Sequence, residues 1–274
     1  LVVFDEASQI PTHDAVGVLA RGKSALIVGD SKQLPPTAFF QSIEGEEEAT
    51  EPEFEELESI LDQCLAGGVP ERRLDWHYRS RHESLIAFSN FHYYKNRLNT
   101  FPSAAGPGAG RGVTLRPVAG FYDKGASATN RAEAEAVVAD LVSRLEAPDA
   151  KHHTYGVVTF SVAQQELVED LLDRVRADHP AIESFFDKAT NTEPVIVKNL
   201  ENIQGDERDV IFLSITYAKG IDGRLRYNFG PLNGENGWRR LNVIATRARR
   251  MMRVFSSIRG DDISLAAVTS HGPR

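Results

Sequence analysis

The apolar positions of this chain fall into short continuous runs separated by segments of helical period. Leu1-Val-Val-Phe4 and Ala25-Leu-Ile-Val28 are two such runs. Each ends in a polar, acidic turn, Asp5-Glu6 in the first case and Gly29-Asp30-Ser-Lys-Gln33-Leu-Pro35-Pro36 in the second. Runs of this kind read as strands buried on both faces, and a helical link joins the two. Further strands are predicted at Val113–Val118, Tyr155–Phe160, Pro194–Leu200, Val210–Thr216 and Met251–Ser256. Between them the period changes to that of a helix. One helix is predicted from about Phe54 to Leu65, stopped by Gly67-Gly68. A Ser80-x-x-Glu83 capping box opens an aromatic-rich helix to about Tyr94. Asn130-x-x-Glu133 opens another, whose Ala134, Val137, Val138, Leu141 and Leu145 form one core-facing stripe. A helix over Val162–Ala177 and an Arg-rich helix near 239–250 complete the series. Strands alternating with helices predict an α/β fold with mostly parallel sheets covered by helices. Residues 101–112 (Gly/Pro-rich) and 219–237 (Gly/Asn-rich) read as loops, and Glu44–Glu58 as a solvated acidic surface. A change of character near Arg72–Leu74 divides the chain into 1–72 and 73–274.

The bulk numbers narrow the classes. With 274 residues, 41% apolar and 26% charged, the chain can bury two compact lobes. Its net charge of −8 opposes a generally basic nucleic-acid coat but leaves room for a local basic channel. Cys64 is the only cysteine, which excludes an intrachain disulfide and points to a reducing, cytoplasmic compartment. No apolar stretch approaches membrane-spanning length, so no membrane partner is expected. The chain opens mid-element without Met, and is therefore expected to be a fragment of a longer parent. His77, His82, His92 and the pair His152-His153 lack metal-ligand spacing. At helical spacing Phe88, Phe91, Tyr93 and Tyr94 read as core packing, with base stacking as the other use.

The acidic turns carry the first candidate chemistry. A parallel strand delivers its last residues to the carboxyl edge of its sheet, where open α/β folds bind ligands. Asp5 there is a candidate Mg²⁺ carboxylate, and Glu6 a neighbour able to act on an attacking water; paired acids after a strand also cap helices. In the second turn the Gln33 amide can donate to a γ-phosphate while accepting from water, and two prolines stiffen the exit.

Together the two strings resemble motifs II and III of superfamily 1 helicases, in the up-frameshift-like branch. Other strings follow in that family's order. Leu74-Asp-Trp-His-Tyr78-Arg79-Ser80 resembles the Gln-Tyr-Arg segment that opens the second lobe, which makes Arg79 a γ-phosphate finger and Tyr78 a nucleotide contact. Tyr155-Gly-Val-Val-Thr159-Phe160 with Gln164 resembles the strand whose threonine meets the nucleic-acid backbone. Asn199 to Asp209 resembles motif V, implying that Gln204 faces the strand while Gly205 and Glu207 approach the nucleotide. Arg239-Arg-Leu-Asn-Val-Ile-Ala-Thr246-Arg247-Ala-Arg249 resembles motif VI, implying a second arginine finger at Arg247 and a nucleotide contact at Arg240 on the same helix face.

The resemblance implies two RecA-like P-loop NTPase lobes with ATP and Mg²⁺ between them. The implied activity is that of an ATP-dependent helicase or translocase on single-stranded nucleic acid, DNA favoured over RNA, moving 5′ to 3′. The closing strand and Asp261-Asp262 resemble a bacterial subgroup of large helicase/nuclease-type proteins. One departure stands out: the 274 residues contain no Gly-x-x-x-x-Gly-Lys-Ser/Thr. The phosphate-gripping loop is therefore expected upstream in the parent chain, and the fragment alone is expected to be inactive. Two other uses stay open. One is a nucleic-acid-binding module with a vestigial ATPase; the other is a nuclease-associated remodelling ATPase without true unwinding.

Overall fold

The computed structural model describes residues 1–36, 59–103, 110–234 and 236–264. The acidic stretch Glu44–Glu58 and the first residues of the helix predicted from Phe54 lie outside them. The chain divides into two compact units, Leu1–Leu74 and Asp75–Arg274. No described helix is long and apolar enough to cross a membrane.

In the first unit, β1 (Val2–Phe4) and β2 (Ala25–Ile27) pair in parallel, Val2 opposite Ala25 and Phe4 opposite Ile27. Helix α1 (Thr12–Leu19) makes the crossover a parallel pair requires. Helix α2 (Ile60–Ala66) starts at Ser59, whose Oγ accepts from the Asp62 N–H at 3.1 Å. It ends where Gly67 N–H donates to the Gln63 carbonyl and Gly68 takes φ 71°. Phe4, Ala7, Ala15 and Ile60 form the small core.

The second unit is built on a five-stranded, all-parallel sheet. Its strands are β5 (Gly112–Pro117), β6 (Tyr155–Thr159), β7 (Ile196–Asn199), β8 (Arg208–Ser214) and β9 (Ala248–Ser256), in the order β5-β9-β8-β6-β7. Every residue of β6 and β8 is buried, as continuous apolar strands of an α/β sheet require. A separate short parallel pair joins β3 (Trp76–His77) to β4 (Asn99–Thr100). Helix α4 (Arg131–Leu145) buries the predicted stripe against Val157, Val210, Phe212, Met251 and Phe255, with Val168 and Leu172 of α5 (Val162–Asp178) beside it. Ile211, Leu213 and Met252 alternate with these along their strands, so they face the other side of the sheet, where they are also buried. Helix α3 (Ser84–His92) lies against β5, β9 and α6 (Gly237–Ala245).

Three local expectations change. The Ser80-x-x-Glu83 capping box does not form. Ser80 N–H and Oγ turn back to His77 Nε2 (3.2 and 2.8 Å), and the Glu83 carboxylate accepts from Ser103 N–H. The Arg-rich helix stops at Ala245 rather than near 250, and the chain enters β9 at Ala248. Phe88 and Phe91 are 43% and 66% exposed, so the aromatic face of α3 is not core.

Candidate functional site

In the first unit, Asp5 and Glu6 follow the carboxyl end of β1 and are exposed. Asp5 Oδ1 accepts from Glu6 N–H at 2.9 Å, and Glu6 takes left-handed backbone angles (φ 49°, ψ 39°). Such a conformation is costly for a residue with a Cβ and collects at functional turns. The turn is fixed by the Ala7 N–H, which donates to the Val28 carbonyl at the exit of β2. Gly29 makes this approach possible: a Cβ there would stand 3.0 and 3.1 Å from the backbone nitrogens of Ser8 and Ala7. The glycine is thus needed for close approach of the two turns. Asp30 Oδ1 accepts from Lys32 N–H, and Asp30 Oδ2 accepts from Gln33 Nε2 at 3.2 Å. That bond aims the Gln33 amide and leaves its Oε1 buried without a hydrogen-bond partner among the described residues.

The all-parallel sheet of the second unit separates its polar residues into two groups, one at each end of the strands. At the amino ends lies a charged cluster. Arg79 Nε pairs with Glu207 Oε2 at 2.5 Å, and Arg249 Nη1 reaches Glu207 Oε1 at 3.5 Å. Arg249 also holds Glu193 at 2.9 Å and Asp209 at 3.3 Å, while its backbone carbonyl accepts from Arg81 N–H. Tyr78 beside Arg79 is 84% exposed. Gly205, in the turn before β8, has φ 86° with open space around it, so its need is conformational. Gln204 next to it is half-buried. Burial, with the Arg79 charge second, pushes the His77 imidazole down to about 4. The sequence reading assigns Arg249 no role; the available signal is its place as the second arginine of the Arg247-Ala-Arg249 step of motif VI.

The other two arginines are turned inward. Arg240 is 5% exposed and its Nε binds Glu201 Oε1 at 2.6 Å. Arg247 is 2% exposed, with Nε donating to the Val243 carbonyl at 2.9 Å and Nη2 to Thr246 Oγ1 at 3.0 Å. Because α6 ends at Ala245, Arg247 does not share its face with Arg240. It adds instead a third donor to a carbonyl of the last turn that also accepts from the Thr246 N–H and Oγ1.

At the carboxyl ends the cluster is polar and buried. Thr159 is fully buried and its Oγ1 donates to the Ser161 carbonyl at 2.8 Å. Gln164 is also fully buried; its Oε1 accepts from Asn130 N–H and its Nε2 donates to the Asn130 carbonyl. Both were expected to face a nucleic-acid strand, but the loops after β5 and β6 use these groups to satisfy their own backbone. Asn130 caps α4 by accepting from Glu133 N–H, whereas the Glu133 carboxylate leaves the cap for the sheet edge.

Residues 57–259 match the AAA domain family. The chain belongs to that family. It is 32% identical, over its full length, to the protein named "uncharacterized ATP-dependent helicase MG140" of Mycoplasma genitalium, and 33% identical to the homologous protein of Mycoplasma pneumoniae. This AAA domain spans about a quarter (24%) of the length of each. A third relative, the mouse protein named "5′-3′ DNA helicase ZGRF1", is 28% identical over 94% of the chain, which covers 13% of that protein. The chain is a helicase-type P-loop NTPase region.

Asp5 offers an exposed carboxylate, and among the described residues no three His, Cys, Asp or Glu side chains converge on a metal. An ion held by one carboxylate and completed by water and phosphate is the habit of Mg²⁺.

Proposed function

We propose that this AAA domain is part of the motor core of an ATP-dependent helicase of superfamily 1, in the up-frameshift-like branch. It couples ATP hydrolysis to movement along single-stranded nucleic acid, 5′ to 3′, with DNA favoured over RNA. The observation that carries this reading is the convergence of Arg79 and Arg249 on Glu207 at the amino ends of β8 and β9. Arginines are the side chains that meet phosphate oxygens in bidentate fashion, and a polyphosphate competes with a carboxylate for them. The names of the Mycoplasma relatives support ATP-dependent helicase activity, and the name of the mouse relative supports DNA and the 5′ to 3′ direction.

ATP bound with Mg²⁺ supplies the phosphoanhydride whose hydrolysis drives the motor. In this reading Asp5 holds the cation, Glu6 orients the attacking water and Gln33, aimed by Asp30, donates to the terminal phosphate. Arg79 and Arg247 neutralise transition-state charge, while Tyr78, Gly205, Glu207 and Arg240 shape the nucleotide's surroundings. Arg247 must exchange its Val243 and Thr246 partners to act. Gln204 contacts the strand from the turn before β8, and the loops supported by Thr159 and Gln164 form the strand-contacting edge at the carboxyl ends.

The test is made on the full-length parent protein. Strand-stimulated ATP hydrolysis, with displacement of a duplex carrying a 5′ single-stranded tail, is the expected result. Hydrolysis without displacement overturns the helicase reading in favour of a remodelling ATPase. A polypeptide of these 274 residues, having no P-loop lysine, is expected to turn over no ATP alone; turnover abolished by Asp5→Asn would sink that expectation.

A further inference from the structure

In the second unit the carboxyl ends of β8 and β9 meet on one buried carboxylate. Glu133, in the first turn of α4, has no exposed surface. Its Oε1 accepts from Ser214 Oγ at 2.7 Å and from Thr216 N–H at 2.6 Å. Its Oε2 accepts from Ser257 Oγ at 3.1 Å and from Asn130 Nδ2 at 3.3 Å. Ser214 closes β8, Thr216 lies two residues beyond it, Ser257 follows β9 and Asn130 caps α4. Gln164, in the first turn of α5, joins the same network by donating to Ser214 Oγ at 3.2 Å. One side chain therefore ties two strand exits and one helix start directly, and a second helix through Gln164. Gly120 completes the fit, since a Cβ there would strike Asn130 Oδ1 at 2.3 Å and Ser257 Oγ at 2.9 Å.

Thr216 shows what this network is holding. It is fully buried and has φ 69°, and Tyr217 N–H donates to the Ile215 carbonyl across it at 2.6 Å. A bond from residue i+2 to residue i over a positive φ marks the rare, strained form of the γ-turn. For a β-branched residue that conformation is an outlier, and it persists only where the surroundings over-determine it. The carboxylate that accepts the Thr216 N–H is the group that does so.

We infer that Glu133 is the positioning residue of the strand-contacting edge: its carboxylate locks Thr216 in the left-handed turn and so sets the exits of β8 and β9 for single-stranded nucleic acid. The inference rests on the motor-core reading above and deepens it. Both oxygens must accept here, because the Thr216 N–H on Oε1 and the Asn130 Nδ2 on Oε2 can only donate. Burial raises the carboxyl pKa of Glu133, and the hydrogen bonds from Thr216, Ser214 and Ser257 oppose that rise. Glutamine has the same shape but brings an NH₂ against donors, leaving a buried donor unpaired.

In the full-length protein, Glu133→Gln is expected to raise the strand concentration for half-maximal ATP hydrolysis about tenfold, with kcat at saturating strand held within about twofold of wild type. Thr216→Gly in the Glu133→Gln background is expected to recover most of that loss, because glycine enters the left-handed region without the carboxylate. General loss of packing is not relieved by such a change. If Glu133→Gln does not fold, Ser257→Ala removes one of the four donors and is expected to raise the same concentration about threefold. An unchanged strand requirement in the folded variants, or a loss confined to kcat, overturns the inference alone. So does a double variant no better than Glu133→Gln. Absence of strand stimulation in the wild-type protein overturns the proposed function and takes this inference with it.

Discussion

Gly29 has no side chain, and the backbone of another turn occupies the space one would fill. A methyl group there would press on the nitrogens of Ser8 and Ala7 and on Leu61 Cδ2, all 3.0–3.1 Å away. None of these except the leucine tip can move without opening the Asp5-Glu6 turn. Gly29→Ala is therefore expected to destabilise the first unit by about 1–3 kcal/mol, read as a lower denaturant midpoint. An unchanged midpoint would show that the turns approach less closely than described. His77 offers a test of a different kind. Its Nε2 accepts from Ser80 N–H, and its pKa falls from the ordinary 6.5 to about 4. Protonation is thus easier in the unfolded chain, so the stability His77 contributes is present above pH 6.5 and is lost as pH falls towards 4. His77→Gln keeps an acceptor for Ser80 but cannot titrate, and is expected to flatten the fall in melting temperature across that window. Parallel curves for variant and wild type would remove His77 as the source.

At the scale of elements, the readable features were those written in adjacent residues. The stripe of α4, the cap Asn130, and the buried runs of β6 and β8 all follow from local period and local hydrogen bonding. Helix α6 is shorter than its sequence suggests: Arg-Ala-Arg249 has good helix propensity, but pairing of Ala248–Ser256 with β8 and β5 decides the outcome. The Glu133 network was invisible for a related reason. Asn130 lies three residues away, but the other three partners, Ser214, Thr216 and Ser257, lie 81 to 124 residues away, and no spacing rule connects them. Arg240 belongs to the same class: the sequence marked it as basic and helical, but not that Glu201 in the loop after β7 would bury it. Removing one partner of such a pair strands the other charge, so Arg240→Ala is expected to cost about 3 kcal/mol. The double variant Arg240→Ala with Glu201→Ala is expected to cost less than the two single losses summed. Simple additivity in a double-mutant cycle would mean that the pair carries no coupling.

Across the second unit, one consequence of an all-parallel sheet governs how its residues can be tested. Every strand runs the same way, so the arginine cluster and the Glu133 network lie at opposite ends of β8 and β9. Substitutions at the two ends are then expected to move different parameters of the full-length protein. Arg79→Ala at the amino end is expected to lower the kcat of strand-stimulated ATP hydrolysis about 10³-fold, the scale of an arginine finger. Affinity for the strand, measured by fluorescence anisotropy without nucleotide, is expected to change less than about twofold, since the Arg79 guanidinium is held by Glu207 and is assigned to the nucleotide rather than to strand phosphates. Arg247→Ala separates two roles within the same cluster. Its guanidinium now serves the Val243 carbonyl and Thr246, so removal lowers the melting temperature whether or not it ever meets nucleotide. Thr246→Ala deletes one of those partners while sparing the arginine. If Arg247 is a finger, Arg247→Ala loses kcat far beyond Thr246→Ala at matched loss of melting temperature. If the two variants lose kcat in proportion to their stability, Arg247 is a cap of α6 and Arg79 acts without it.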